Sequence, residues 1–376
     1  MRIVVDATSL LLRSAGVKNY LYYWLLSLFQ SARDRCDELR SYPLGVPIAP
    51  VLNHQDSIGH SVGSFIRRCV VQLANIRGIP TLEILLSGTD LFHASQHVAR
   101  LPRGKKNTAT IFDLSCWTTP EYHTPANIAA TRWYADTVLR NCDGLIAISR
   151  HTRDDAAEIL HIPSERIRVI YPGVAESFFN VTRQKVKEAR AKYKLDRPYF
   201  LFVGCIEPRK NVPTLLHAYQ QVPASVQKDV QLVLAGPLGW VGEDVKNMMI
   251  RASGPVRYLG YVPEPDLPGL VGGALALAYP SYYEGFGLPV AQAMAAGIPV
   301  ITSNRSCLPE VVGDAGLCVN PDSTEQLSHA LVMLASSREL KQSLGLRGKS
   351  RAESFRWTRS AVESLDFFHA VSEGNS

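Results

Sequence analysis

The chain is sparing with cysteine. Seven occur in 376 residues: Cys36, Cys69, Cys116, Cys142, Cys205, Cys307 and Cys318. Their number is odd and no two form a C-x-x-C pair. A zinc-ribbon ligand set is excluded, and reduced thiols in a cytoplasmic setting are expected rather than a disulfide framework. No apolar run approaches the roughly 20 residues of a membrane span. The stretch 21–29 is short, and its Tyr22, Tyr23, Trp24 and Ser27 fit a buried helix. No Asp-x-Asp cluster stands at an expected strand end, so no essential metal is expected. No G-x-G-x-x-G follows the first strand. Gly236-Pro237-Leu238-Gly239-Trp240-Val241-Gly242 has the wrong spacing and a proline, which disfavours a nicotinamide-dependent dehydrogenase. Lys and Arg number 40 against 34 Asp and Glu, a net charge of +6. That excess suits phosphates or anionic surfaces, but no nucleic-acid-binding motif accompanies it. Met1-Arg2-Ile3-Val4-Val5-Asp6 reads as a strand with an early charge, so no signal peptide is expected.

What the chain does have is alternation. Short β-branched runs, such as Ile3-Val4-Val5, Thr108–Phe112, Gly144–Ile148, Tyr199–Val203, Val230–Ala235 and Val300-Ile301-Thr302, alternate with helical patterns. Continuous apolar strands between helices imply parallel sheets covered on both faces. Two such series imply an α/β chain of two doubly wound, Rossmann-like domains facing a cleft. The first is expected over 1–175 and is completed by a C-terminal helix over 356–376. The second is expected over 176–355. Hinges are expected near Gly173 and Phe355.

The densest local signal is Glu284-Gly285-Phe286-Gly287-Leu288-Pro289. It follows a short buried strand ending near Pro280 and precedes a helix with Pro289 in its first turn, where a missing N–H costs nothing. A helix start with glycines ahead of it suits an anionic ligand such as a phosphate. Glu284 is an acceptor and suits sugar hydroxyls instead. A second signal, Gly204-Cys205-Ile206-Glu207-Pro208-Arg209-Lys210-Asn211, also lies between a strand and a helix. Arg209 can fork onto two phosphate oxygens and Lys210 adds a point charge. Alone, this pair could be a solvated basic turn; beside the Glu284 loop it suits a diphosphate. Together they describe a nucleotide-sugar site.

These two motifs resemble the retaining glycosyltransferases of family 4, with their GT-B fold of two Rossmann-like domains around a donor cleft. The resemblance extends over nearly the whole chain, through 1–20, 143–149, 166–174 and 304–316. The Glu-Pro-Arg-Lys-Asn form resembles members that use GDP-mannose or related sugars, and the run 117–127 resembles one branch. The resemblance implies that Glu284 binds hydroxyls of the transferred sugar. Backbone N–H groups at Gly285, Phe286, Gly287 and Leu288 would hold sugar and diphosphate, and Gly204 would belong to the same donor loop. Arg209 and Lys210 would hold the diphosphate and stabilise the leaving nucleotide. Gly16 would bring the first domain's backbone against the leaving phosphate or the acceptor.

Three positions depart from the family pattern. Gln292 stands where a second Glu usually binds ribose. Cys205 stands where Arg is frequent, and Arg209 would take over its phosphate role. Phe112 stands where a His usually contacts the reacting sugar or phosphate. His123, His93 and His97 are the candidates to replace that His, each weighed against an ordinary surface or core role. Asp113 is either a catalytic group at a strand end or a turn cap. Trp117 and Tyr122 either stack on an acceptor or pack in the core.

The expected activity is metal-independent, retaining transfer of a sugar, mannose or a related hexose, from a nucleoside-diphosphate sugar to a hydroxyl of a glycan or lipid-linked acceptor in polysaccharide biosynthesis. No cofactor is expected beyond that co-substrate. The alternative is a nucleotide-sugar-binding protein that has lost transfer. Peripheral contact with an anionic membrane is a further expectation, from the helical pattern Phe65–Ile76 with nearby Arg100, Arg103, Lys105 and Lys106; the other reading is an ordinary helix with solvated arginines.

Overall fold

The structure, a computed structural model, describes residues 1–11, 16–43, 62–76, 80–239, 245, 249 and 255–374. The chain forms two units, one of Met1–Gly173 with Arg356–Ser376 and the other of Val174–Phe355. Each holds a six-stranded sheet in which every strand pair is parallel, the fold class read from the sequence.

In unit 1 the strands are β1 (Arg2–Asp6), β2 (Glu38–Tyr42), β3 (Leu91–Ala94), β4 (Lys106–Ile111), β5 (Gly144–Ala147) and β6 (Ile167–Val169), in the order β2-β1-β3-β4-β5-β6. The Gly16–Asp34 helix packs on the Trp357–Glu373 helix, which returns to this unit from the far end of the chain. Their seam includes a polar pin: Trp24 Nε1 donates to Ser364 Oγ at 3.0 Å, and the Trp24 ring meets Phe368 edge-on. Burying side chains of this size stabilises by about 1.5–3 kcal/mol each. Close packing at the exit from unit 1 requires a glycine, because a Cβ on Gly173 would lie 2.3 Å from the Trp357 nitrogen.

Unit 2 contains β7 (Tyr199–Val203), β8 (Gln231–Ala235), β9 (Val256–Gly260), β10 (Ala276–Tyr279), β11 (Val300–Ser303) and β12 (Leu317–Val319), in the order β12-β11-β10-β7-β8-β9. β7, β8, β10 and β11 are buried along their whole length, which is why apolar residues dominate their sequences. β9 lies at the edge and is half-exposed. From β7 the chain winds to β8 and β9 on one side. It then returns to build β10, β11 and β12 on the other, so the winding reverses between β7 and β10. In open parallel sheets such a reversal opens a crevice at the carboxyl ends of the two strands, where ligands bind. The corresponding reversal in unit 1 lies between β1 and β3.

Candidate functional site

The two sequence motifs emerge from the two strands that flank the reversal in unit 2. After β7 the chain passes Gly204 at φ +154 and a single turn of 3-10 helix at Pro208–Lys210. The backbone must be bare here. A Cβ on Gly236, which follows β8, would lie 1.9 Å from the Gly204 carbonyl oxygen. Pairing of the two loops continues past the strands, with Gly204 N donating to Ala235 O at 2.9 Å, Ile206 N to Pro237 O at 2.9 Å and Gly239 N to Ile206 O at 2.9 Å. Asn211 ends the turn in a left-handed conformation at φ 57, which Asn tolerates better than most side chains. Its amide donates to Pro280 O at 3.2 Å and Pro321 O at 2.7 Å, tying the turn to the exit of β10.

After β10, Glu284 sits ahead of the Leu288–Ala295 helix. Its backbone is pinned on both sides: Glu284 N donates to Ser306 Oγ at 3.0 Å, and the Cys307 thiol donates to Glu284 O at 3.0 Å. Gly287 precedes the helix at φ +84, with Pro289 in the first turn as the sequence implies. A Cβ at Gly287 would approach Leu308 Cδ2 to 2.7 Å. The helix N-terminus contributes a partial positive charge.

Arg209, Lys210 and Glu284 converge. Lys210 Nζ lies 2.6 Å from Glu284 Oε1, and Arg209 Nη1 lies 3.2 Å from Glu284 Oε2. Arg209 also pairs with Glu207 at 2.7 Å and donates to the Tyr283 carbonyl. The Tyr279 hydroxyl donates to Glu284 Oε1 at 3.0 Å and accepts from Lys210. All four charged side chains are at least 85% buried, so their charges balance one another rather than facing water. Burial pushes the Glu284 carboxyl up, but the nearby Arg209 and Lys210 cations and the Lys210 hydrogen bond outweigh it and hold the pKa at about 2. Burial and the Glu284 charge raise the Tyr279 hydroxyl well above its ordinary value, so it stays a donor. The basic pair is therefore no solvated turn; it is paired with the carboxylate that the sequence assigned to another part of the ligand.

Glu207, Tyr279 and Ser306 were given no role from the sequence. Tyr279 carries the one polar side chain of Ala276–Tyr279, at its end, and that was the available signal. Gly285 and Phe286 lie in the loop between Glu284 and the helix, and Phe286 packs edge-on against Phe355. Leu288 opens the helix, and Gln292 is half-buried one turn further on. Burial raises the Cys205 thiol pKa.

The candidates in unit 1 have quieter surroundings. His93 is a core residue: its ring nitrogens meet Thr108 Oγ1 and Thr110 Oγ1, each at 3.0 Å, and the ring lies between Trp24 and Phe368. Burial depresses its pKa to about 3. Both nitrogens are occupied, which gives His93 the core role of its two readings. His97 Nε2 meets Ser9 Oγ at 3.1 Å, beside the buried Asp6. His123 Nδ1 meets the Asn127 amide at 3.1 Å at the start of the Pro125–Thr137 helix. Asp113 Oδ1 accepts from Ser115 N at 3.1 Å and Ser115 Oγ at 2.7 Å, the turn-cap arrangement. Phe112 packs edge-on to Tyr20, ring centroids 5.0 Å apart. Trp117 packs partly against the unit 1 core. Gly16 is exposed at the first position of its helix.

Residues 184–351 match the sequence family described as "Glycosyl transferases group 1", and residues 58–178 match "Glycosyltransferase Family 4". The chain is 32% identical over 272 residues to the O-antigen chain mannosyltransferase B of Escherichia coli, covering 71% of each chain. Against the Escherichia coli serotype-specific mannosyltransferase WbdA it is 28% identical over 232 residues, 60% of this chain but 28% of that one. Among solved structures it is similar to a sucrose-phosphate synthase from Thermosynechococcus elongatus, with a TM-score of 0.75, 18% identity and full coverage of both chains. It is also similar to Anabaena HepE in complex with UDP and glucose, with a TM-score of 0.70, 17% identity, and coverage of 98% of this chain and 100% of that one.

Proposed function

Because this chain belongs to glycosyltransferase family 4, the group 1 glycosyl transferases, we propose that it transfers mannose or a related hexose from a nucleoside-diphosphate sugar, GDP-mannose foremost, to a hydroxyl of a glycan or lipid-linked acceptor, with retention at the anomeric carbon. The observation that carries this reading is the convergence of Arg209, Lys210 and Glu284 at the reversal between β7 and β10. Two cations and a helix start suit a pyrophosphate, and a carboxylate among them suits sugar hydroxyls. The relatives named as mannosyltransferases support the choice of sugar.

Retention through a covalent intermediate needs a carboxylate nucleophile on the far face of the sugar. Glu284 is held by two cations with its pKa near 2, which suits a hydroxyl acceptor and makes it a weak base at neutral pH. A same-face route follows. The diphosphate leaves, its developing charge is met by Arg209 and Lys210, and its oxygen takes the proton of the attacking hydroxyl. The protein contributes positioning and charge stabilisation. No metal has a part in this scheme. Gly204, Gly285, Phe286, Gly287, Leu288 and Gln292 complete the donor site. In unit 1, Asp113 is the catalytic candidate, Gly16 the candidate for the leaving phosphate or the acceptor, and His123 and Trp117 the acceptor candidates.

A peripheral contact with an anionic membrane belongs to the same reading. It is supported by the exposed stripe Ile66, Leu73 and Ile76 along the Val62–Ala74 helix and just beyond, with Ile84 exposed on the helix that follows. Among the described residues no helix is long and apolar enough to cross a membrane.

The test is a thermal-shift screen with GDP, UDP, ADP and their sugars, followed by product analysis with the donor that binds. A ligand that binds only the folded state raises its melting temperature. One nucleotide should do so, and the sugar product should keep its anomeric configuration. Binding without transfer across a broad acceptor panel would instead mark a protein that has lost catalysis.

A further inference from the structure

We propose that Tyr279 is a positioning residue that keeps Glu284 ionised and in place when Lys210 turns from Glu284 to the diphosphate of the donor. The inference rests on the donor-site reading above and deepens it. Two donors share one carboxylate oxygen: Lys210 Nζ at 2.6 Å and the Tyr279 hydroxyl at 3.0 Å both reach Glu284 Oε1. The other oxygen faces Arg209 at 3.2 Å. Lys210 is the mobile member, a flexible chain ending in a point charge, whereas Arg209 is held by Glu207 and the Tyr283 carbonyl. A diphosphate brings more negative charge than Glu284 carries and draws the ammonium toward itself. Glu284 then keeps one cation and would favour protonation, since burial penalises its charged form. The Tyr279 hydroxyl supplies the hydrogen bond that remains on Oε1.

The phenol is built to stay put. Tyr279 is fully buried at the end of β10, its ring stacks on Phe202 with centroids 5.7 Å apart, and its carbonyl accepts from Thr302 Oγ1 at 2.9 Å. The Lys210 ammonium lies 5.0 Å from the centroid of the same ring. Lys210 can therefore leave the carboxylate while remaining near an aromatic face that favours cations. The ionisable groups around Glu284 are Arg209 and Lys210 from the turn after β7, Glu207 beyond Arg209, Tyr279 from β10, and Cys307 after β11. Burial keeps the Cys307 thiol neutral, so the switch in charge falls to Lys210.

The experiment compares wild type with Tyr279→Phe in nucleoside-diphosphate release from the donor sugar across pH 4 to 8. In Tyr279→Phe, kcat should fall about tenfold, as expected on losing a hydrogen bond to a charged group, with donor KM within about threefold. The acid limb of kcat should move up by about one pH unit, because the lost donor favoured the ionised carboxylate. An acid limb that stays in place overturns the proposal, whatever happens to stability. If Tyr279→Phe does not fold, 3-fluorotyrosine in place of Tyr279 keeps the shape with a more acidic hydroxyl. It should move the acid limb down, and no movement again overturns the proposal. Failure of the donor-site reading is seen separately, as wild-type protein that neither binds nor turns over any nucleoside-diphosphate sugar.

Discussion

Lys210 Nζ and Glu284 Oε1 are 2.6 Å apart although 74 residues separate them in sequence, and both side chains are about nine-tenths buried. A buried ion pair of this kind is costly to break on one side only, because the remaining charge is left in a poor solvent. The pair therefore ties the loop after β7 to the loop after β10.

Lys210→Ala should lower kcat by about a hundredfold or more, since the leaving diphosphate loses a cation held in a dry site. It should also cost about 3 kcal/mol of stability through the uncompensated Glu284 charge. Steady-state kinetics and urea unfolding check the two effects. Near-normal turnover would remove Lys210 from the chemistry.

The Glu284 carboxyl gives a signed pH dependence. Its folded pKa, about 2, lies below the ordinary value, so its contribution to stability is present above about pH 4.3 and is lost as pH falls toward 2. Acid unfolding of Glu284→Gln should lack this component. Equal pH slopes for wild type and variant between pH 4 and 2 would contradict the assignment.

His93→Ala should leave donor turnover within about threefold of wild type while costing about 2–4 kcal/mol of stability, because a ring packed between Trp24 and Phe368 is removed from the core. A turnover loss larger than the stability loss explains would return His93 to the catalytic candidates.

Much of this site could be read in the sequence because its parts are local. Gly204–Asn211 and Glu284–Leu288 each follow a strand and precede a helix, and their residue types carry their chemistry. The unread parts depend on pairing across the sheet. His93 is satisfied by Thr108 and Thr110, alternate residues on the neighbouring strand β4, and no local pattern announces that register. Tyr279 is the one polar side chain of Ala276–Tyr279, but only the sheet and the loop beyond it show that its hydroxyl meets Glu284. Asp113 satisfied two readings in sequence, and its hydrogen bonds to Ser115 give the turn cap a physical basis. The half-exposure of β9 follows from its edge position, which strand order sets and no local pattern announces.

Gln292→Glu should tighten donor binding about fivefold, since a charged acceptor makes a stronger hydrogen bond to ribose hydroxyls than a neutral one. Donor KM and direct calorimetry report it. An unchanged or weakened affinity would place Gln292 outside the ribose contact.

Gly236→Ala should destabilise unit 2 by about 1–3 kcal/mol or more, because the new methyl must displace the Gly204 carbonyl and the loop leading to Arg209 and Lys210. Thermal unfolding gives the cost, and a rise in donor KM would show that the loop has moved.

The central claim is that Arg209 and Lys210 clamp a pyrophosphate. Calorimetric titration of wild type and Lys210→Ala with the nucleoside diphosphate and the monophosphate of the preferred base tests it most directly. The account predicts that wild type binds the diphosphate at least about tenfold more tightly than the monophosphate, and that Lys210→Ala abolishes most of this difference. Equal affinities in wild type, or a preference untouched by Lys210→Ala, would contradict it.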